Sequence, residues 1–74
     1  MTVAERLKAL REEKTNLNQT ELGQKLNLSQ MQISRLETGT AHINDDVLIT
    51  YCEFFKVSAD YILGLPKGLE HPER

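Results

Sequence analysis

Two helix-start signals lie eleven residues apart near the middle of the chain, and they restrict the local fold more than any other feature of the sequence. Asn18 with Glu21, and Ser29 with Gln32, both match the capping box, in which the first side chain accepts a backbone N–H and the second bonds back to the first residue. Asn27, between the two signals, suits the left-handed turn that ends a helix. Only about three residues join the two helices, too few for an antiparallel pair with full overlap, so the helices must cross steeply.

Signals of the same kind predict three further helices. Thr2 and Glu5 form another capping box, while Asn44 and Ser58 are typical N-cap residues before segments whose apolar side chains recur at helical spacing. The chain is therefore predicted to be all-α, with five helices and no strand. The predicted helices are 3–14, 19–26, 30–38, a segment after Asn44 that includes 47–55, and 59–63. The side chains predicted to be buried together are Leu7, Leu10, Leu22, Leu26, Ile33, Leu36, Leu48, Cys52, Phe55 and Ile62.

Two further features of the predicted helices can be interpreted, namely the polar face of the first helix and one glycine of the second. The charged residues Glu5, Lys8, Arg11 and Glu12 are interpreted as a solvated face with ion pairs between residues three and four apart. Gly23 lies where the second helix must approach the third closely, which gives a packing reason for a residue that costs a helix about 1 kcal/mol relative to alanine.

Length and composition exclude several classes of protein. With 74 residues, the chain is predicted to form one domain over residues 1–65, followed by a flexible polar tail over 66–74. The single cysteine, Cys52, excludes a disulfide framework, and neither His42 nor His71 has companions at catalytic or metal-ligand spacing. We therefore expect no catalytic activity, metal or cofactor. No apolar run approaches the ~18 residues of a membrane span and no signal peptide is recognisable, so we expect a cytoplasmic protein with no membrane partner.

The net charge gives little indication of a nucleic-acid partner. It is −2 for the whole chain, with +1 in residues 1–42 and −3 in residues 43–74. Because binding to DNA depends on the field at the docking face rather than on the total charge, the mildly basic first part is weak support for such a partner.

The order of residues in the central part of the chain is the strongest indication of function. The informative segments are Leu17-Asn18-Gln19-Thr20-Glu21-Leu22-Gly23, Gln24-Lys25-Leu26-Asn27-Leu28-Ser29-Gln30 and Met31-Gln32-Ile33-Ser34-Arg35-Leu36-Glu37-Thr38-Gly39, with the trailing Phe55-Lys56-Val57-Ser58 and Ile62-Leu63-Gly64. In this order, from about residue 6 to residue 65, the chain resembles the phage-repressor and Cro-like helix-turn-helix family, also called the XRE family. The resemblance implies a five-helix, lambda-repressor-like domain with the helix-turn-helix at helices two and three. It also implies sequence-specific binding to double-stranded DNA by a transcriptional regulator of the repressor kind.

In such a domain the third helix lies in the major groove and presents its first residues to the base edges. Glutamine can pair two-pronged with adenine and arginine with guanine, each worth roughly 1–3 kcal/mol of discrimination, and a methionine could pack on a thymine methyl. The residues predicted to contact bases are Gln30, Met31, Gln32, Ser34 and Arg35. A generic polar helix face with a gap-filling methionine is the alternative, and Gln32 could be held by its capping box instead.

The resemblance also implies contacts to the DNA backbone beside this helix. Gln19, at the start of the second helix, is expected to contact a phosphate, aided by the N–H groups there. The full predicted set is Asn18, Gln19, Ser29, Thr38 and His42, although Asn18 could act only as a cap and His42 only as a loop residue. The family often has Lys and Arg in the loop after the third helix, whereas this chain has Thr40-Ala41-His42-Ile43-Asn44, so phosphate anchoring is expected to be weak here.

Phe54, Tyr61 and Leu65 are not absorbed by the predicted core. Because related domains often pair through their last helices, these residues are predicted to form part of a homodimer interface, with an inverted-repeat operator as the DNA partner. A satellite cluster under the tail is the alternative. A different class of function also stays open, since the acidic second half and the spare apolar residues would suit a protein-interaction module, such as an antitoxin or regulatory partner with secondary DNA binding.

Overall fold

The computed structural model describes residues 1–70 and Pro72, and all regular structure within them is helical. The five helices are α1 (Val3–Lys14), α2 (Gln19–Leu26), α3 (Gln30–Thr38), α4 (Asp45–Phe55) and α5 (Ala59–Leu63). They confirm the predicted all-α class and the predicted helix bounds. Of the predicted tail, residues 66–70 and Pro72 lie outside the helices, while positions 71, 73 and 74, and with them His71, lie outside the described residues.

Side chains at the helix starts explain why the bounds fall where they do. All three capping boxes are formed in both directions, with N···O distances of 2.8 to 3.1 Å, and the pairs are Thr2–Glu5, Asn18–Glu21 and Ser29–Gln32. In the first of them, hydrogen bonds from the backbone and side chain of Thr2 lower the pKa of Glu5 below its usual value. Asn44 and Ser58 cap α4 and α5 by accepting a backbone N–H with their side chains.

The turn between α2 and α3 is as short as the sequence predicts. Asn27 adopts the left-handed conformation, with φ 60° and ψ 42°, and the N–H of Leu28 donates to the carbonyl oxygen of Gly23 at 2.7 Å. A Cβ atom at Gly23 would overlap the carbonyl oxygen of Leu28. The predicted packing reason for this glycine is thus confirmed, although the close neighbour is the backbone of the turn rather than α3 itself.

The core lies where α1, α2, α3 and α5 meet, and one aromatic side chain of α4 enters it. Seven of the predicted core residues are buried together, namely Leu7, Leu10, Leu22, Leu26, Ile33, Leu36 and Ile62. The prediction was wrong for Leu48, Cys52 and Phe55, which are only partly buried against this cluster, whereas Tyr51 is fully buried in their place. The reason is the position of α4 at the edge of the bundle, packed on α2 and α5, so that only one ring from this helix reaches the centre.

Two features of the described residues concern function classes. None of their helices combines the length and apolar character that crossing a membrane requires. No group of three or more His, Cys, Asp or Glu side chains among them is placed to hold a metal ion.

Candidate nucleic-acid interface

Helix α3 has two faces of different chemistry. Ile33, Leu36 and Glu37 point into the molecule and are buried. The predicted base-contacting residues occupy the rest of the helix surface, where Gln30, Met31, Gln32 and Arg35 are exposed and Ser34 is half-buried. The exposed fraction of Met31 is 57%, so this side chain fills no gap in the core of the single domain. The structure therefore brings the predicted readers together on one solvent-facing surface.

One of these readers is already engaged at the start of the helix. The backbone N–H of Ser29 donates to Oε1 of Gln32 at 2.8 Å, and the N–H of Gln32 donates to the Ser29 hydroxyl at 3.1 Å. The capping box thus takes the amide oxygen of Gln32, which leaves its Nε2 group as the part of the side chain able to meet another molecule.

Gln30 is held by a chain of hydrogen bonds that runs into the core. Its Nε2 donates to Oε1 of Gln19 at 2.7 Å, and Nε2 of Gln19 donates to Oε1 of Glu37 at 3.1 Å. Gln30 and Glu37 are seven residues apart on α3, about two helical turns, so they share one side of the helix and Gln19 of α2 bridges them. A residue predicted to contact a base and a residue predicted to contact a phosphate are therefore hydrogen-bonded to each other.

The inner end of this chain is a buried ion pair. Nε and the Nη2 nitrogen of Arg11 donate to the two carboxylate oxygens of Glu37 at 2.8 and 2.9 Å, and only 1% of the Glu37 side chain is exposed. The remaining terminal nitrogen of Arg11 donates to the carbonyl oxygen of Leu17 at 3.2 Å. The hydrogen bonds to Glu37 raise the pKa of the Arg11 guanidinium above its usual value. The sequence placed Arg11 on a solvated face, and this is corrected: its partner comes from α3, 26 residues away in the chain.

Glu37 itself was missed as part of the site. A signal was available, because positions 33, 36 and 37 follow the spacing of one helical face and a carboxylate at the third of them must therefore be buried and paired. No feature of α1 singles out Arg11 among the charged residues around it, so the identity of the partner required the fold.

The predicted backbone-contacting residues form two groups. Asn18 and Gln19 border one shallow cleft together with Gln30, while Ser29 directly precedes Gln30 as the N-cap of α3. Thr38 and His42 border a different depression, between the end of α3, the following loop and the start of α1. The hydroxyl groups of Thr38 and Thr40 are 3.0 Å apart there.

The residues predicted to form a dimer interface are exposed in the single chain but are not all adjacent. Tyr61 and Leu65 border one depression beside Arg6, with exposed fractions of 52% and 45%. Phe54 does not border it and packs edge-on against Phe55, with ring centroids 5.0 Å apart.

Comparison with known proteins shows which family the chain belongs to and which solved structure it is similar to. The family model described as helix-turn-helix matches residues 7–62. Among solved structures, the chain is similar to the crystal structure of the P22 c2 repressor protein in complex with synthetic operator 9T in the presence of Tl⁺, with 27% sequence identity and a TM-score of 0.78. The similarity covers 85% of this chain and 94% of that one. No curated protein matches the sequence significantly.

Proposed function

Since the chain belongs to the helix-turn-helix family, we propose that it is a transcriptional regulator that binds double-stranded DNA in a sequence-specific manner and reads the major groove with α3. The observation that carries the proposal is the exposed, polar outer face of α3, of which the first residue is held in place by α2. The similarity to a repressor in complex with an operator supports it and favours repression as the regulatory effect. A regulator of that kind works in the cytoplasm without catalytic activity, and we propose both for this chain.

The side chains of α3 are assigned to the bases by their exposure and free groups. Gln30 and Arg35 suit adenine and guanine respectively, Met31 a thymine methyl, and Nε2 of Gln32 an acceptor on a base edge, while the half-buried Ser34 plays a lesser part. These contacts carry sequence information because they meet the base edges rather than the phosphates.

The start of α2 is assigned to the DNA backbone. Gln19, in the first turn of α2, borders the same cleft as Gln30, so a phosphate bound there would fix the register of α3 in the groove. Asn18 and Ser29 contribute mainly as caps, because their side-chain oxygens already accept backbone N–H groups. Thr38 and His42 lie at the far end of α3, where they suit a second, weaker backbone contact.

Binding to random and selected duplexes tests this function. A labelled duplex of random sequence at low salt is expected to bind with a Kd of about 10⁻⁴ to 10⁻⁶ M, and the best duplex selected from a random pool at least ~10³-fold more tightly. Absence of binding to any duplex near ~10⁻⁴ M would contradict the proposal and favour a protein-interaction module in its place.

We further propose that two copies act together on an inverted-repeat operator. Three or four base contacts from one α3 supply only a few kcal/mol of discrimination, whereas specific sites stand roughly 4–10 kcal/mol above random DNA. Two copies double the number of contacts. Phe54, Tyr61 and Leu65 remain the proposed interface, as exposed apolar residues on or next to the last two helices.

A further inference from the structure

We propose that Glu37, which is buried and cannot reach DNA, determines which base Gln30 reads. This inference rests on the proposed function and deepens it by adding a residue that positions the reader. The juxtaposition that carries it is the chain of hydrogen bonds from Glu37 through Gln19 to Gln30.

The direction of every bond in this chain is fixed by its inner end. An ionised carboxylate only accepts hydrogen bonds, so the group that Gln19 presents to Glu37 must be its NH₂. The amide oxygen of Gln19 then faces Gln30, and Gln30 in turn must present its own NH₂ to that oxygen. The orientation of both amides, normally ambiguous because oxygen and nitrogen are alike in shape, thus follows from the carboxylate.

Arg11 keeps the inner end in place. Its two-pronged contact with Glu37 occupies both carboxylate oxygens from one side and leaves Oε1 with capacity for Gln19. The guanidinium is always charged, so its contact with the carboxylate is an ion pair. A protonated or neutral group at this position could donate as well as accept, and the direction of the chain would no longer be determined.

The hydrogen-bonding groups that Gln30 presents to solvent are therefore determined. One of its two N–H hydrogens is used on Gln19, which leaves its Oε1 as acceptor and one N–H as donor. This pair matches adenine, which offers a donor at N6 and an acceptor at N7 in the major groove. Guanine offers two acceptors, so Oε1 of Gln30 would face O6 of guanine without a hydrogen between them. At one base pair of the operator, the buried carboxylate thus selects adenine over guanine.

The experiment measures the ratio of affinities for adenine and guanine at that base pair, in duplexes that are otherwise identical. Gln30→Ala first identifies this base pair, because it is the position in the operator at which the variant loses the preference for adenine. There the wild-type chain is expected to prefer adenine by about 5- to 100-fold, the range of one two-pronged contact. Gln19→Met leaves the ion pair intact but interrupts the chain, and it should bring the ratio towards 1.

Gln19→Lys gives a result that a purely structural role would not produce. A lysine ammonium only donates, so it can bond to Glu37 and to the amide oxygen of Gln30, whose NH₂ then turns outward. The preference should shift towards guanine, even though the added positive charge raises affinity for all duplexes. Arg11→Met combined with Glu37→Met removes the carboxylate without leaving a buried charge unpaired, and should also lower the ratio.

The matched control is Glu21→Gln, an exposed carboxylate on α2 whose side chain can still accept the N–H of Asn18. It should leave the ratio unchanged. Retention of the wild-type ratio by the variant that combines Arg11→Met with Glu37→Met would overturn the proposal. So would retention of that ratio by both Gln19→Met and Gln19→Lys, or a Gln30→Ala variant with unaltered base preferences. If the wild-type chain still selects among duplexes, such a result overturns only this inference and leaves the proposed function standing. A wild-type chain that binds all duplexes equally would contradict the proposed function itself.

Discussion

At the scale of single residues, the charges of Arg11 and Glu37 matter most for stability as well as for the site. Taking a carboxylate and a guanidinium out of water costs several kcal/mol each, and their contact offsets this only while both partners are present. Because the Glu37 side chain is 1% exposed and that of Arg11 13%, removal of either partner leaves the charge of the other largely out of water.

We expect Glu37→Ala to lower the free energy of unfolding by about 3 kcal/mol, because the variant leaves the guanidinium of Arg11 buried and unpaired. Arg11→Met combined with Glu37→Leu should cost less than either single substitution. Urea unfolding followed by circular dichroism measures these values. Glu12→Ala, an exposed carboxylate on α1, is the control and should remain within about 0.5 kcal/mol of the wild type. A loss below 1 kcal/mol for Glu37→Ala would show that the pair does not hold α1 on α3.

Tyr51 provides a test by pH. Its ring is fully buried, and within the described residues its hydroxyl has no hydrogen-bond partner. Burial raises the pKa of this hydroxyl far above its usual value, the negative charge of Glu37 raises it further, and Arg11 opposes the change. The pKa of the Tyr51 hydroxyl is higher in the folded state than in the unfolded chain, where a tyrosine has a pKa near 10. The contribution of this group to the free energy of unfolding is therefore fully present below about pH 10 and is lost as the pH rises above that value.

The free energy of unfolding should therefore fall by up to about 1.4 kcal/mol per pH unit above pH 10 through this residue alone. Tyr51→Phe should remove that part of the slope. At pH 7 the same variant should be neutral or slightly stabilising, since it deletes a buried polar atom without a partner. Tyr61→Phe, at an exposed position, serves as the comparison. Equal slopes for wild type and Tyr51→Phe between pH 10 and 11.5 would contradict the assignment.

At the scale of helices and turns, the sequence determined the bounds because the signals that set them are local. Each capping side chain reaches only three residues along the chain, so its effect can be judged without the fold. Which residues of α4 are buried could not be predicted from local signals of this kind. Its apolar residues cover too much of its surface for periodicity to distinguish Tyr51 from Leu48 or Phe55, and the choice depends on how α4 lies on α2 and α5.

The same distinction applies to the candidate site. The outer face of α3 was predictable from helical spacing once Ile33 and Leu36 were assigned to the core. The pairing of Gln19 with Gln30 and of Arg11 with Glu37 was not, because these contacts join residues 11 and 26 positions apart and depend on how the helices cross.

The turn between α2 and α3 depends on the absence of a side chain at Gly23. We expect Gly23→Ala to destabilise the domain by about 1–3 kcal/mol, because the added methyl group meets the backbone of Leu28, which cannot move without shifting α3. Alanine elsewhere in a helix is favourable, so Gln24→Ala on the exposed side of α2 should be neutral or stabilising. Thermal unfolding of both variants measures the difference, and an increase in Tm for Gly23→Ala would refute the close contact.

At the scale of the whole molecule, the dimensions constrain how two copies fit on DNA. The domain measures 38 × 24 × 22 Å. Half-sites one helical turn apart are separated by about 34–36 Å, which exceeds the two shorter dimensions and approaches the longest. Two copies therefore fit side by side on one face of the duplex, and they touch only where their long dimension runs along it.

We expect an inverted pair of half-sites to bind at least ten times more tightly than an isolated half-site, and only when the centres are a whole helical turn apart. Titrations of duplexes in which the spacing changes by half a turn measure this dependence. Tyr61→Lys, which places a charge in the proposed interface, should reduce the ratio of the affinity for the inverted pair to the affinity for one half-site. If the pair gains nothing at any spacing, one copy is the binding unit.

The hydrogen-bonded chain behind Gln30 also affects how this protein can acquire new target sites. Met31 and Arg35 are exposed and bonded to nothing in the core by their side chains in the described structure, so each can be exchanged independently to suit another base. Gln30 differs, because an exchange there leaves Gln19 with an unmatched oxygen and, through it, disturbs a buried charge. Specificity at that base pair can therefore be altered from α2, through Gln19, as well as from α3. Selection for a new operator should exchange Met31 and Arg35 by substitutions on α3 alone, whereas at this base pair substitutions of Gln19 should appear as well.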